Sequence, residues 1–402
     1  MGGGLLQLVA YGAQDVYLTG NPQITFFKVA YRRHTNFSME SIEQTFNGTA
    51  DLGRRVTCQI SRNGDLIHRV YLQVTLPSAG VSAKWADFVG LALMNYVELE
   101  IGGQSIDKHY PDWLYIWNEL TLPQSKKLGF RKMVGANPDL TDSYATGATL
   151  YVPLEFWFCR NPGLALPLIA LQYHEVKINI QFEALANLIK AGTSTASISS
   201  ASLWVDYVFL DTDERRRFAQ LSHEYLIEQL QFTGSETVSS GANRVKLNFN
   251  HPVKELVWVL QRGSLTGSGT SNYWFNYVHA DGFTTAPTEV NPEAEWVGEN
   301  SMTACKLQLN GHDRFTARDG AYFNLVQPYQ HHDNIPNNPG INVYSFALKP
   351  QEHQPSGTLN MSRIDTAVLS FTSGYAGVIK TFAVNYNVLR VMSGMGGLAY
   401  SN

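Results

Sequence analysis

The stretch NPGLALPLIALQYHEVKINIQF, from Asn161 to Phe182, decides the fold class. It opens with Asn161-Pro162-Gly163, which is a turn signal because proline fixes φ and lacks an N–H donor, whereas glycine can take positive φ. From Val176 to Phe182, apolar residues alternate with polar ones. This period of two is typical of a strand with one buried face and one face in water. The stretch therefore predicts a turn followed by a half-buried strand.

A second stretch near the far end repeats this plan. Gln354–Phe371 reads QPSGTLNMSRIDTAVLSF, a Pro-Ser-Gly turn followed by apolar residues in alternation. Two further pairs of short matches are separated by similar distances, about 200 residues. They are Ile42-Glu43-Gln44 with Ile227-Glu228-Gln229, and the run Leu99–Gly103 with Leu307–Gly311. Repeated matches at a drifting separation indicate a duplicated domain with loops of unequal length.

Alternating runs recur along the chain, whereas helical patterns are few. Further predicted strands are Ile42–Thr49, Val70–Leu76, Val97–Ile101, Leu203–Phe209 and Val245–Phe249. Many short strands between turn signals favour an all-β protein of antiparallel sandwiches, and eight-stranded jelly rolls suit the size of each half. The predicted fold is thus two consecutive jelly rolls with a few short helices.

Three segments carry helical patterns. Asn21 and Pro22 form a start signal for a helix that reaches Arg33, and Asp107–Leu120 predicts a short Trp-bearing helix. Asp211–Arg217 begins with acids and continues with arginines, which complements a helix dipole. Residues 121–149 are predicted to be a long, turn-rich connection.

The acid-first helix marks the predicted boundary between the two sandwiches. The resulting organisation is an N-terminal arm over residues 1–24, a first jelly roll over 25–212, a linker helix over 213–224 and a second jelly roll over 225–402.

Composition limits the possible functions. Apolar residues make up 44% of the 402 residues, which supports well-filled cores. Charged residues make up only 16%, below the roughly 25% of an ordinary soluble domain. This shortfall favours a surface that largely meets protein, and a polar uncharged surface is the alternative. A net charge of −4 offers no general attraction for nucleic acid, so direct genome binding is not expected.

The cysteines and the first residues indicate the compartment. Cys58, Cys159 and Cys305 are far apart, odd in number and without a CxxC pair, so they are interpreted as reduced core residues of a protein made in a reducing compartment. The opening run MGGGLLQLVA lacks the basic segment of a signal peptide, and no run approaches a membrane span.

Enzymatic interpretations find little support. The sequence has no phosphate-binding GxxxxGK[ST] run, no HExxH and no nucleophile elbow, so no catalytic residue and no cofactor is predicted. His331-His332-Asp333 could ligate a metal, but it lacks supporting ligands and is interpreted as a solvated loop. Asp211, Asp213 and Glu214 are better explained as acids at a helix N-terminus than as paired catalytic carboxylates.

Several long runs carry a more specific signal. The chain resembles the major capsid proteins of the nucleocytoplasmic large DNA viruses, and most closely those of the chlorella viruses and other phycodnaviruses. The matching runs include LLQLVAYGAQDVYLTGNPQITFFK (Leu5–Lys28), VELEIGGQSIDKHY (Val97–Tyr110), NPGLALPLIALQYHEVK (Asn161–Lys177), WVDYVFLDTDER (Trp204–Arg215), HEYLIEQLQFTGSET (His223–Thr237) and NYNVLRVMSGMGGLAY (Asn385–Tyr400).

The resemblance implies a structural protein of a large icosahedral double-stranded DNA virus. It implies a homotrimer that forms a pseudo-hexagonal capsomer, with neighbouring capsomers and minor capsid proteins as partners and only indirect contact with an inner membrane of the virion. It also implies synthesis and assembly in the host cytoplasm. Two alternatives stay open: a minor or specialised capsid paralogue, and a jelly-roll carbohydrate-binding protein.

The long loop Gln261–Met302 holds the candidate intersubunit and outer-surface residues. They are Trp274, Phe275, Tyr277 and Phe283, chosen because aromatic side chains are favoured at buried interface centres. Local packing beneath the loop is the alternative interpretation of each ring.

Three asparagines fit the usual glycosylation pattern. They are Asn36, Asn47 and Asn360, each followed at the second position by Ser or Thr. Without a secretory signal the host machinery should not meet them, so modification at these sites is disfavoured. The proteins that this one resembles can carry glycans at other loop sites, but no position follows from that resemblance.

Overall fold

The computed structural model describes residues 12–19, 35–80, 83–136, 147–262, 274–278 and 300–400. Met1–Phe37 and Ser38–Asn402 are two compact units. The described helix of the first unit is Asp15–Thr19. The predicted helix between Asn21 and Arg33 lies outside the described residues.

The first sandwich consists of the strands before the helix Thr212–Gln220. Its eight main strands form two sheets, β1-β11-β3-β7 and β2-β9-β5-β6, while β8 pairs with β3 and β4 pairs with β10. The strands are β1 Phe37–Gln44, β2 Arg55–Gln59, β3 Leu66–Pro77, β4 Lys84–Trp85, β5 Met94–Ile101, β6 Gln104–His109, β7 Gly147–Pro153, β8 Leu166–Pro167, β9 Val176–Phe182, β10 Ile189–Ala191 and β11 Ser200–Leu210.

The second sandwich follows that helix and also has two sheets. They are β12-β20-β14-β17, with β18 on β14 and β21 on β20, and β13-β19-β15-β16. The strands are β12 His223–Val238, β13 Gly241–Leu247, β14 Pro252–Arg262, β15 Met302–Leu309, β16 His312–Asp313, β17 Asn342–Ser345, β18 Leu359–Asn360, β19 Ala367–Ser373, β20 Gly377–Met392 and β21 Met395–Leu398.

The two sandwiches have the same strand order. When the main strands of each are counted along the chain, one sheet reads first-eighth-third-sixth and the other second-seventh-fourth-fifth in both halves. The repeated sequence matches fall on equivalent strands: Ile42 and Ile227 on the first, Leu99 and Leu307 on the fourth. The predicted double jelly roll is confirmed.

Short helices connect the strands. They are Val89–Ala92, Pro111–Thr121, Gln124–Val134, Trp157–Arg160, Leu185–Leu188, Thr212–Gln220 and Gln327–His331, with a π-helical turn at Tyr322–Val326 and 3₁₀ turns at Pro162–Leu164 and Met361–Arg363. The predicted Trp-bearing helix exists but starts later, because Gln104–His109 pairs as β6.

The expectation of a long connection over residues 121–149 is wrong in its first part. Gln124–Val134 is a helix that ends at Gly135, which takes a left-handed conformation with φ of 83°. Its buried positions Lys127, Phe130, Arg131 and Val134 have helical spacing. Two of these four residues are charged, so the apolar pattern is broken. Residues 137–146 lie outside the described part.

Local residue chemistry explains the turn at Asn161 and the two tight hairpins. Asn161 caps Pro162–Leu164 by accepting a hydrogen bond from the Gly163 backbone N–H at 2.9 Å. Gly102 and Gly103 connect β5 to β6 with φ of 59° and 85°, and Asn310 and Gly311 do the same between β15 and β16 with φ of 49° and 81°. Positive φ at both central positions matches the twist of a two-residue hairpin.

The sheet β12-β20-β14-β17 is buried on both faces. Along β14, Leu256, Trp258 and Leu260 pack into the core of the second sandwich. The intervening Val257 and Val259 belong to a larger core that contains the first sandwich. A strand covered on both sides reads as a continuous apolar run rather than an alternation, which explains the sequence from Leu256 to Leu260.

The three cysteines are buried and free. Burial raises the pKa of the Cys58 thiol to about 11 and that of Cys305 to about 12. Within the described residues, no helix has the length and apolar character needed to cross a membrane.

Candidate functional site: the seam between the two sandwiches

The two sandwiches meet along a continuous aromatic layer, called here the seam. The helix Pro111–Thr121 of the first sandwich packs on the outer face of sheet β12-β20-β14-β17, with the Trp113 ring centroid 5.8 Å from that of Phe382. On the same helix, Tyr115 stacks on Phe275 at 4.6 Å and an interplanar angle of 17°. The seam is therefore packed as a protein interior and fixes the first sandwich against the second.

The seam helix is built to be enclosed. Its sequence, PDWLYIWNELT, begins with proline at the first helical position, and every residue from Pro111 to Leu120 is buried. A helix that is apolar on most of its circumference is stable only where protein covers all sides. The position of this helix between two sandwiches meets that requirement.

Asp112 anchors the start of the seam helix to the second half of the chain. Its Oδ2 lies 2.7 Å from Lys380 Nζ on β20, and its Oδ1 accepts a hydrogen bond of 2.5 Å from the Tyr277 hydroxyl. Burial raises the pKa of Tyr277 well above its ordinary value, and the Asp112 carboxylate raises it further. The tyrosine is therefore a permanent donor.

A second ionic cluster lies at Glu228 on β12. Arg160 Nη1 of the first sandwich lies 3.0 Å from one carboxylate oxygen of Glu228, and Lys254 Nζ lies 2.7 Å from the other. The Arg160 guanidinium also lies over the Trp117 ring at 3.8 Å. Burial lowers the pKa of the fully enclosed Lys254, although Glu228 and Glu255 oppose the shift. This cluster joins charges that would be costly to bury singly.

Glu255 and His332 form a third pair beside the cluster. His332 Nε2 lies 2.8 Å from Glu255 Oε2, and both side chains are fully buried. Burial alone would raise the pKa of Glu255, but His332 and Lys254 together lower it. The interpretation of this histidine as part of a solvated loop is therefore wrong: the imidazole is enclosed because it pairs with a carboxylate on β14. Among the described residues, no group of His, Cys, Asp and Glu is arranged to hold a metal ion.

Further hydrogen bonds cross the seam along its length. The Leu230 backbone N–H donates to Asp107 Oδ1 at 3.0 Å, and the Asn337 N–H donates to Glu119 Oε2 at 3.2 Å. The Gln229 side chain donates to the Ile106 carbonyl, and the Trp274 indole donates to the Asn187 carbonyl at 2.7 Å. These directional bonds fix the register of one sandwich on the other.

Of the predicted aromatic contact residues, Trp274, Phe275 and Tyr277 lie at the seam. Phe275 is 2% exposed and Tyr277 is fully buried, whereas Trp274 is half-buried. Phe275 and Tyr277 contact residues of the first sandwich in the same chain, which leaves these two rings little surface for another chain. Phe283 lies outside the described residues. An intersubunit role of the loop around them stays a prediction.

The three candidate glycosylation sites are exposed. Asn36 precedes β1, Asn47 bridges to Thr57, and Asn360 ends β18. The Asn360 side chain accepts a hydrogen bond of 3.1 Å from the Ser362 N–H. Modification of these asparagines stays a prediction.

Sequence reasoning missed the ionic residues of the seam. Asp112 and Lys380 are 268 positions apart, and nothing local connects them. One signal was available: Lys254 and Glu255 interrupt an otherwise apolar strand, PVKELVWVL. Charges inside an apolar strand indicate a buried pair or a functional site, because isolated charges are rarely buried.

The comparisons with known proteins agree over the whole chain. Residues 25–211 match the protein family described as major capsid protein N-terminus. Residues 214–397 match the family described as large eukaryotic DNA virus major capsid protein. The major capsid protein of Pyramimonas orientalis virus is 57% identical, with all of both chains covered. That of Paramecium bursaria Chlorella virus 1 is 46% identical, also over all of both chains.

The chain belongs to the family of major capsid proteins of large eukaryotic DNA viruses. A chain in the quasi-atomic model of the PBCV-1 virus capsid superposes with a TM-score of 0.81 at 41% identity, covering 94% of this chain and 100% of that chain. The resemblance to phycodnavirus capsid proteins is confirmed. This capsid protein is a structural component of the virion shell, and its relatives are structural proteins rather than enzymes.

Proposed function

We propose that three copies of this capsid protein associate around a threefold axis into a pseudo-hexagonal capsomer, and that capsomers tile the shell. Two sandwiches of the same strand order in each chain support this, since three chains then present six similar flanks. Such a trimer approximates a hexagon and can pack side by side on a flat facet.

The seam is the observation that carries the proposal. A trimer resembles a hexagon only if the two sandwiches of each chain keep one fixed relation. The aromatic layer around Trp113 and the ion pairs of Asp112 and Glu228 support a rigid relation. In this proposal the seam holds the two sandwiches of each chain in one fixed orientation.

The finer organisation belongs to the same proposal. The arm covers residues 1–24, the first jelly roll 25–212, the linker helix 213–224 and the second jelly roll 225–402. Neighbouring capsomers and minor capsid proteins are the partners. Nucleic acid is not contacted directly, an inner membrane is met only indirectly, and synthesis and assembly take place in the host cytoplasm.

Light scattering coupled to size-exclusion chromatography tests the trimer. The expected mass is three times 44.8 kDa, and negative-stain images should have a hexagonal outline. A species that stays monomeric at high concentration would contradict the proposal. Copy number in purified virions separates a main shell protein from a minor paralogue, because the former should dominate the protein content.

A further inference from the structure

The outer face of sheet β1-β11-β3-β7 carries aromatic side chains in a cleft. Tyr71 and Trp204 stack with centroids 6.4 Å apart and rings nearly parallel at 4°. Tyr151, 40% exposed, lies 6.3 Å from Tyr71. The cleft beside them has a volume of about 720 Å³ and is also lined by Trp117 and Met133. Aromatic, methionine and arginine side chains in a concave surface are typical of protein interface centres.

The equivalent face of the second sandwich is covered. In sheet β12-β20-β14-β17, which has the same strand order, the outward residues Val257, Val259, Phe382 and Val384 pack into the core that contains the first sandwich. The covering element is the helix Pro111–Thr121. The same type of sheet face is therefore filled in one sandwich and open in the other.

An element equivalent to the covering helix exists in the second sandwich. Pro111–Thr121 lies between β6 and β7, the fifth and sixth main strands. The segment Tyr322–His331 lies between β16 and β17, again the fifth and sixth. It projects apolar side chains into solvent: Leu325 is 47% exposed, Val326 39% and Tyr329 76%. Phe323 is fully buried and anchors the segment to its own sandwich.

We infer that the segment Tyr322–His331 of one copy docks on the outer face of β1-β11-β3-β7 in the next copy. The contact repeats between chains what the seam helix does within one chain. It is head-to-tail, and such a contact forms a ring when its rotation closes after a whole number of copies; the proposed function requires closure after three. The inference rests on that proposed trimer and identifies its contact surfaces.

The charges of the two surfaces permit this contact. The segment YFNLVQPYQH contains no Asp, Glu, Lys or Arg. The cleft holds charges of both signs, with Arg69, Lys126 and Arg160 facing Glu155 and Asp206. A neutral segment meets no like charge there, and its apolar side chains can cover the stacked aromatic rings.

Cross-linking between differently labelled chains tests the direction of the contact. Tyr151→Cys and Tyr329→Cys chains carrying different tags are co-expressed and treated with a short bis-maleimide. The native cysteines are buried, so the introduced thiols should react first. A covalent product containing both tags is expected, whereas either variant expressed alone should give none. A pairing of Tyr151→Cys with Tyr173→Cys, on an equally exposed tyrosine outside the surfaces, is the negative control.

Substitution of the exposed side chains tests the energetics. Tyr329→Ser and Leu325→Ser should each raise the dissociation constant of the trimer about tenfold or more, because both lie at the centre of the proposed contact. Tyr173→Ser, which removes a tyrosine that is likewise 76% exposed, should leave it unchanged. Since the three side chains are exposed, each variant should fold, and circular dichroism checks this.

The outcomes separate the inference from the proposed function. Suppose that the wild-type chain forms a trimer, that both serine variants form it equally well, and that the two cysteine variants give no mixed-tag product. This result would overturn the inference and leave the proposed trimer standing. A wild-type chain that never trimerises would overturn both. A mixed-tag product together with selective weakening by the two substitutions supports the inference.

Discussion

At the residue scale, the seam depends on charges that are paired while buried. Lys380 and Asp112 are 14% and 6% exposed, and their charged atoms lie 2.7 Å apart. Removal of one member of such a pair leaves the other charge without compensation in a poorly solvated place. The free-energy cost of breaking the pair should therefore far exceed the net stabilisation that the intact pair provides.

Lys380→Met should destabilise the chain by about 3–5 kcal/mol, because Asp112 loses its cation. Urea denaturation monitored by tryptophan fluorescence measures this as a lower midpoint. Lys349→Met is the matched control, since Lys349 pairs with Glu352 at 2.8 Å but both are well exposed. The control should have an unchanged midpoint, and an equal loss in both variants would contradict the role assigned to Asp112.

The cleft carboxylate Glu155 gives a pH dependence of known sign. Burial raises its pKa to about 7, although Arg160 and Arg69 oppose the shift. The folded state therefore holds this proton more tightly than the unfolded state does. The stabilisation from this proton is fully present below the pKa of Glu155 in the unfolded state, and it is lost as the pH rises through the pKa in the folded state.

As the pH rises from 4.5 to about 7, deprotonation of Glu155 should thus lower the free energy of unfolding by about 1–3 kcal/mol in total. The effect is smaller than the full shift would give because the Glu155 side chain keeps some contact with solvent. Glu155→Gln should flatten this part of the stability profile, measured by urea denaturation at several pH values on the isolated chain. Glu352→Gln, at an exposed site, is the control. An unchanged slope in Glu155→Gln would refute the assignment.

At the element scale, close backbone approach holds the segment 274–278 against the chain just before β17. A methyl group at Gly340 would overlap the Tyr277 carbonyl oxygen, and no side chain could yield to relieve it. This glycine is needed for proximity rather than for a positive φ. The segment brings Phe275 and Tyr277 to the seam helix, so the helix and the segment are positioned together.

Gly340→Ala should therefore destabilise the chain by about 1–3 kcal/mol through overpacking. Gly129→Ala should instead stabilise the chain, by about 0.5–1 kcal/mol. Gly129 lies exposed within the helix Gln124–Val134 with open space around it, and alanine is the better helix former. Differential scanning calorimetry measures both. Two shifts of the same sign would contradict the account.

At the scale of the whole molecule, the second sandwich depends on the first for cover. Without it, the outward faces of β14 and β20 would present Val257, Val259, Phe382 and Val384 to water. Large exposed apolar patches promote association and aggregation. The two sandwiches are thus duplicated in topology but not independent in stability.

A fragment of residues 213–402 should accordingly aggregate or bind the dye ANS strongly, whereas the full chain should not. Co-expression with residues 1–212 should restore solubility, because the seam helix again covers the sheet. Sedimentation and ANS fluorescence measure the outcome. A soluble, monomeric second fragment would show that the seam is dispensable for folding.

Local chemistry accounts for what the sequence determined by itself. The alternation over Val176–Phe182 predicted β9, and the paired turn residues Gly102-Gly103 and Asn310-Gly311 marked the hairpins, since strand period and positive φ are properties of neighbouring residues. The repeated plan in the two halves predicted two jelly rolls. The helix Gln124–Val134 escaped detection because Lys127 and Arg131 occupy its buried face, and Lys127 is tolerated there through its pairing with Glu119 at 3.1 Å.

Only the tertiary structure decided which surfaces are covered and by what. Periodicity states that a face is apolar but does not name its partner, so the sequence could not show that Phe275 and Tyr277 pack against Tyr115 and Asp112 of the same chain. The pairs Asp112–Lys380 and Arg160–Glu228 join residues far apart in the chain, and the burial that makes them necessary exists only after both sandwiches have come together. The strands are thus set by nearest neighbours, and the seam by long-range packing.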